Sequence, residues 1–138
     1  MAHKKPPEQT QRPNRGLITD LPAEGPGVPA PKWPLDKMRQ GEQVFWRHVW
    51  KLPQAYAWHH LRCERMVARY VRLAVRAEDA GGDGSGVTWQ NEVRQLEDRL
   101  GLSPRSMHLL NYRVIDQAGN EVAPISDLEA YRKAVGSG

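Results

Sequence analysis

The clearest structural signal in this chain is the stretch ERMVARYVRLAVRA, residues 64–77. Its apolar side chains recur every three or four residues, which is the period of an α-helix with one buried face. The same period runs from about Gln54 to Glu78 and predicts one helix of about 25 residues and about 37 Å. A helix of that length overshoots a compact domain of this size, so we expect it to lie against a neighbour or another subunit. Its apolar face comprises Cys63, Met66, Val67, Tyr70, Leu73, Ala74 and Ala77.

A row of five arginines occupies the opposite face of the same predicted helix. The spacings of three, four, three and four residues place Arg62, Arg65, Arg69, Arg72 and Arg76 in this row. Five like charges on one face need an anion, and two sources are open. One is nucleic-acid phosphate. The other is ion pairing within or between subunits, the ordinary role of charged helix faces, with the downstream acids Glu78, Asp79, Asp83, Glu92, Glu97 and Asp98.

Charge is segregated along the 138 residues, whose formal net charge is +4. Residues 35–77 carry nine basic and three acidic side chains, whereas residues 78–102 carry two and six. Residues 1–34 hold eight of the eleven prolines and show no sustained apolar period. Because such a composition does not offset the entropy of ordering, we predict a disordered basic arm over residues 1–33. The cations of this arm are Lys4, Lys5, Arg12 and Arg15. They are either mobile counter-charges for a polyanion or part of an ordinary solvated tail.

A helical period also precedes the central stretch, from Pro34 to the interruption at Pro53. Trp46 and Trp50 lie four residues apart within it. Aromatic side chains at this spacing belong to a core or to a subunit contact, and stacking on nucleic-acid bases is a third possibility. Since the part of the chain beyond the arm supports only a thin core, we expect self-association. We place Trp46, Trp50 and Tyr70 at the oligomer interface.

Turn signals divide the rest of the chain. The glycines of residues 81–86 predict a flexible link before an acidic helix over about 88–100. Gly101 ends this helix, and Ser103 with Pro104 begins another short one. Two short strands are predicted about Gly119-Asn120, with Tyr112 and Val114 in the first and Val122 and Ile125 in the second. A capping-box pattern then opens a final short helix at Ser126-Asp127-Leu128-Glu129.

No arrangement of residues points to catalysis. The glycine string at 81–86 lacks the Lys-Ser/Thr of a phosphate-binding loop, and Asp83 would repel phosphate. His59 and Cys63 lie four residues apart with His60 adjacent, a spacing open to a metal, although a packed histidine beside a buried thiol is the commoner arrangement. A buried Cys63 would also be a poor nucleophile. We therefore predict no enzyme, no metal and no cofactor.

Localisation follows from what the sequence lacks. Its single cysteine excludes an intrachain disulfide, and it has no secretory leader pattern. No apolar run approaches the roughly 20 residues of a membrane helix. We expect a protein of a reducing cytoplasm without a membrane partner.

Several motifs follow one another in a recognisable order: WRHVWKLP at 46–53, CER at 63–65, ARY at 68–70 and LEDRLGLSP at 96–104. The sharpest is the step Gly101-Leu102-Ser103-Pro104. Over about residues 33–110, the succession resembles the small subunit of the terminase of tailed bacteriophages, a family with a Gly-Leu-Thr/Ser-Pro step. A basic residue commonly follows that step shortly after, and here Arg105 follows it directly while Met107 and His108 stand later.

The resemblance implies a non-enzymatic DNA-packaging protein in the cytoplasm of an infected bacterial host. Such a protein forms a homo-oligomeric ring, binds double-stranded viral DNA and delivers it to the large terminase subunit, which carries the ATPase and nuclease. A ring would repeat every basic patch once per subunit, so weak phosphate contacts would add. The resemblance also implies that residues 112–138 contact the large subunit or close the ring.

The resulting hypothesis is a mainly α protein with a long helical hairpin plus short helices, a small C-terminal β-hairpin and a disordered N-terminal arm. Its parts are the arm at 1–33, a helical oligomerisation and DNA-binding core at 34–110, and a C-terminal hairpin and short helix at 111–138. The arm cations and the five-arginine row are the predicted DNA-binding residues. The rival hypothesis is an oligomeric helical protein-interaction adaptor that never binds nucleic acid, and a small enzyme is a distant third.

Overall fold

The computed structural model describes residues 17–79 and 85–122. Within these ranges the protein is mainly helical, with a small two-stranded sheet. In chain order the elements are β1 (Thr19–Pro22), α1 (Gln40–Val49), α2 (Gln54–Leu61), α3 (Glu64–Asp79), α4 (Ser85–Leu100), α5 (Pro104–Leu109) and β2 (Tyr112–Ile115).

The predicted long helical hairpin is confirmed, and it is formed by α3 and α4. Tyr70 of α3 donates a hydrogen bond to Glu97 near the end of α4, at 3.3 Å. Further along α3, the Arg76 guanidinium lies over the ring of Trp89 near the start of α4, 5.8 Å from its centroid. Later residues of α3 thus face earlier residues of α4, so the two helices run antiparallel.

The prediction of one continuous helix over residues 54–78 is wrong, because the chain breaks between α2 and α3. Arg62 follows α2 in the left-handed region, with φ 55° and ψ 51°. On an unbroken helix, Trp58 and Val67 would point about 180° apart, since nine residues separate them. Both are instead buried in one core, at 1% and 0% exposure. The bend at Arg62 therefore turns the apolar faces of α2 and α3 towards each other.

The core lies between α1, α2 and α3, with Leu100 at the end of α4 closing it. Trp46, Trp50 and Trp58 make successive edge-to-face contacts with ring centroids 5.3 and 5.6 Å apart. The Trp58 indole N–H also donates to the carbonyl of Leu100 at 2.9 Å. This bond satisfies one of the carbonyls that the end of a helix leaves without an intrahelical partner. The three tryptophans therefore fill the core, and Trp58 also bonds to the end of α4.

The placement of Trp46, Trp50 and Tyr70 at the oligomer interface is wrong. They are 3%, 1% and 6% exposed within a single chain. Aromatic side chains spaced by four residues produce the same sequence pattern in a core as in a subunit contact. Any contact between copies must therefore use other residues.

The predicted disorder of residues 1–33 is wrong for residues 17–33. Strand β1 pairs in parallel with β2, with Thr19 opposite Tyr112 and Leu21 opposite Val114, and Leu21 is fully buried. Further on, the Pro31 carbonyl accepts the Trp46 indole N–H at 2.9 Å. The ordering comes from residues far along the chain, which local composition does not reveal. The arm cations Lys4, Lys5, Arg12 and Arg15 lie outside the described residues.

The first of the two predicted C-terminal strands is confirmed as β2, but its main partner is β1. The predicted second strand is reduced to one antiparallel bridge between Ile115 and Glu121, followed by a hydrogen bond from the Val122 N–H to the Val114 carbonyl at 2.9 Å. The hairpin is thus only partly formed within the described chain. Ile125 and the capping-box pattern at 126–129 lie outside it.

The Gly-Leu-Ser-Pro step forms the turn between α4 and α5, as predicted. Gly101 has φ +76°, and a Cβ there would lie 2.6 Å from the Tyr112 ring, so glycine is needed for both backbone and space. Ser103 caps α5 by accepting the Ser106 N–H, with Pro104 at the first helical position. The motif therefore joins the end of α4 to α5, and its Gly101 lies against Tyr112 of β2.

Candidate nucleic-acid interface

Four of the five predicted arginines lie on the outward face of α3. Arg65, Arg69, Arg72 and Arg76 stand opposite the buried side chains of the same helix, and we call these four the basic face. Arg65 and Arg69 are exposed. Neither forms an ion pair within the described part of the chain. Their two charges are therefore open to an external anion.

Arg62 does not belong to the basic face, contrary to the sequence prediction. It is exposed, but it lies in the left-handed turn after α2, where its backbone N–H bonds to the Trp58 carbonyl. Spacing alone placed it in register with α3, and the break removes that register. The arginine row on α3 therefore has four members rather than the five predicted from spacings of three and four residues.

Arg72 is held by carboxylates of its own chain. Its Nε donates to Oε2 of Glu42 at 2.8 Å, and it also pairs with Asp36. The Lys37 carbonyl accepts a further bond at 3.2 Å, and the Trp33 ring lies 5.3 Å away. The hydrogen bonds that Arg72 donates to Glu42 and Asp36 raise the pKa of Arg72 above its ordinary value. Arg72 is therefore a structural member of the basic face, whose charge is already matched.

Glu42 is the buried end of this ion pair, at 1% exposure. Its Oε1 also accepts the backbone N–H of Arg39 at 2.9 Å, which satisfies a free donor at the start of α1. Burial by itself raises the pKa of Glu42, but the bonds from Arg72 and Arg39, with the charge of Arg72, outweigh it and leave the pKa below its usual value. The sequence analysis missed Glu42. The only signal for it was its position three residues after Arg39, the residue that precedes α1.

Arg99 is a cation that sequence reasoning missed. The antiparallel hairpin brings it beside α3, where it borders a groove of about 390 Å³ together with Arg69, Arg72 and Arg76. We call this the basic groove. Its apolar surfaces come from Leu35, Leu73 and Leu96, and Glu92 is an acid on its wall. Arg99 lies in the acidic part of the sequence, so only the pairing of α3 with α4 reveals that it lies beside Arg69, Arg72 and Arg76.

The acids expected to neutralise the arginine row do not do so in the described chain. Glu97 accepts the Tyr70 hydroxyl, and Asp98 accepts the Ser103 hydroxyl at 2.8 Å. Glu78, Asp79 and Glu92 form no ion pair within the described ranges, and Asp83 lies outside them. Of the five arginines in the row, only Arg72 forms an ion pair within the described residues, and its partners Asp36 and Glu42 lie upstream in the sequence rather than downstream.

The residues weighed for metal or nucleophilic chemistry serve packing. The His59 ring lies against Trp50, with centroids 4.7 Å apart, which confirms the packed histidine. Burial, with the nearby charge of Glu64, raises the pKa of the Cys63 thiol, the opposite of what a nucleophile needs. Among residues 17–79 and 85–122, no group of three or more His, Cys, Asp or Glu side chains is placed to hold a metal ion. Nor does any helix there have the length and hydropathy to cross a membrane.

Comparison of the sequence with protein-family models, with curated proteins and with solved structures finds no match.

Proposed function

We propose that this chain is the small subunit of a tailed-bacteriophage terminase. In this role it is not an enzyme. It assembles as a homo-oligomeric ring, binds double-stranded viral DNA and delivers it to the large terminase subunit in the cytoplasm of the infected host. Two things support the proposal: the resemblance over about residues 33–110, and the exposed cations of the basic face.

The observation that carries DNA binding is the pair Arg65 and Arg69. They lie about one turn apart on α3, both exposed and both without an ion pair in the described chain. Neighbouring like charges on a helix repel each other, and a polyanion such as the phosphate backbone relieves that repulsion. One subunit offers few such contacts. A ring multiplies them, because linked weak contacts bind jointly.

The test is DNA affinity as a function of salt. Fluorescence anisotropy with a labelled duplex should give a log-affinity against log-salt slope that falls in R65A/R69A by about 0.9 for each phosphate that the variant no longer neutralises. The matched control is R47A/R94A, which removes two exposed arginines from other helix faces and should leave the slope unchanged. Light scattering on each variant reports the oligomer. An unchanged slope in R65A/R69A together with a smaller oligomer would assign the face to subunit ion pairs instead.

The second candidate function is the protein-interaction adaptor, and the basic groove favours it because the groove combines cations with an apolar floor. A mobility shift separates the two candidates. The variant to compare replaces Lys4, Lys5, Arg12 and Arg15 by glutamine. Deleting residues 1–34 would remove β1 and the Pro31 contact as well. A lack of any DNA shift at low salt, in both the wild type and this variant, would favour the adaptor.

A further inference from the structure

We propose that the basic groove binds the acidic segment 126–131 of this same chain, SDLEAY, and that this contact competes with DNA for the groove arginines. The competition rests on the proposed function. The contact itself does not.

The groove has the chemistry of a peptide site. Its rim carries Arg69, Arg76 and Arg99, and its apolar surface is made by leucines of α3, α4 and the segment before α1. A phosphodiester backbone supplies charge but nothing that covers the solvent-facing parts of these half-buried leucine side chains. A peptide with an apolar side chain between two acids supplies both, because it pairs with the rim and removes the leucine surface from water.

The chain itself contains a matching peptide. Asp127 and Glu129 flank Leu128, and Tyr131 follows. Of the stretches outside the described residues, 1–16 is basic, 80–84 is short, and only 123–138 combines two acids with large apolar side chains. The charges continue to match beyond Tyr131. Arg132 and Lys133 come next in the sequence, and Glu92 on the groove wall has the opposite charge.

The contact would regulate DNA binding through a shared residue. Arg69 belongs both to the exposed pair of the basic face and to the groove rim. Carboxylates bound at the groove therefore withhold one of the cations available to phosphate. DNA has to displace the segment before it can use the whole face.

Photo-crosslinking in the full chain tests the contact without DNA. A benzophenone amino acid replaces Leu128, and mass spectrometry locates its crosslinks. We expect them at Leu35 and within residues 69–76 and 92–99, which line the groove, and at least a severalfold loss of crosslinking in D127N/E129Q. The control E24Q/E121Q removes the same charge from exposed sites elsewhere and should keep them. Crosslinks to other segments, or full crosslinking in D127N/E129Q, would overturn the inference.

Affinity for duplex DNA tests the competition. D127N/E129Q should bind DNA about threefold to tenfold more tightly at low salt, the range expected for losing two exposed ion pairs, and E24Q/E121Q should show a smaller gain. Groove crosslinks in a chain that never binds DNA would remove the proposed function and leave the contact standing. DNA binding without groove crosslinks would remove the contact alone, and groove crosslinks with unchanged DNA affinity would overturn the competition.

Discussion

At the scale of single residues, Arg69 and Arg72 show how neighbours in one helical row can differ in role. Arg69 is exposed and faces outward, whereas the Arg72 side chain is 17% exposed and bonded to a buried carboxylate. Helical spacing identifies the face on which a side chain lies, but it contains no information about a partner thirty residues away. The sequence therefore predicts the row and cannot divide it into structural and free members.

Replacing Arg72 should cost far more stability than replacing Arg69. R72A leaves the buried Glu42 carboxylate with only the Arg39 N–H as partner, and we expect a loss of about 2–4 kcal/mol because an unpaired buried charge is strongly unfavourable. R69A should change the free energy of unfolding by no more than about 0.5 kcal/mol. Urea denaturation of both variants measures the difference. Equal losses would mean that Arg72 is not the anchor described here.

The same ion pair gives the protein a defined pH dependence. The pKa of Glu42 in the folded state lies below its ordinary value of 4.5. Its stabilising contribution is therefore fully present above about pH 4.5 and is lost as the pH falls through the lower folded-state pKa. The difference in unfolding free energy between wild type and E42Q should be constant from pH 7 to about pH 5 and shrink below that. A difference that stays level down to pH 3 would contradict it.

At the scale of elements, the sequence predicts helices well and their interruptions poorly. The period of three and four residues predicts α1, α3 and α4, although it begins the first helix at Pro34 and the structure begins it at Gln40. Turn chemistry predicts Ser103 as the cap of α5. The break at Arg62 has no such signal, because arginine is a good helix former and neither glycine nor proline marks the position. Only the need to bury Trp58 and Val67 together requires the break.

The sign of one substitution distinguishes a broken helix from a continuous one. Arg62 has φ 55°, a conformation that costs a non-glycine residue about 1 kcal/mol. R62G should therefore stabilise the protein by about 0.5–1 kcal/mol. Inside α3, the control R65G should destabilise it by about 1 kcal/mol, as glycine does in a helix interior. If the urea midpoint fell by the same amount in both variants, the result would support a single continuous helix over residues 54–78.

At the scale of the whole molecule, the proposed assembly would have to use a surface other than the one predicted from the sequence. With Trp46 and Trp50 in the core, the apolar side chains left for contact between copies include Tyr56 and Leu61 of α2, at 37% and 65% exposure. Both border a cleft of about 250 Å³ beside β1 and β2. Strand β1 contributes Thr19 to this cleft and also pairs with β2. The segment 17–33 is therefore part of the folded chain and of this surface.

Two glycine substitutions test whether the segment 17–33 is held against the helices. Gly25 and Gly27 both have positive φ, but a Cβ on Gly25 would lie within 3 Å of the Lys51 backbone, whereas one on Gly27 meets nothing within 4 Å. Alanine at either site bears the backbone cost of about 1–2 kcal/mol. G25A should lose about 1–3 kcal/mol more, because the corner between α1 and α2 must move to accommodate the methyl group. Thermal and urea unfolding of the two variants provide the comparison. In a disordered arm neither substitution would matter, so equal and negligible effects would return residues 17–33 to the disorder predicted from composition. A clearly larger loss in G25A than in G27A would show that this proline-rich segment is ordered by contacts with distant parts of the chain.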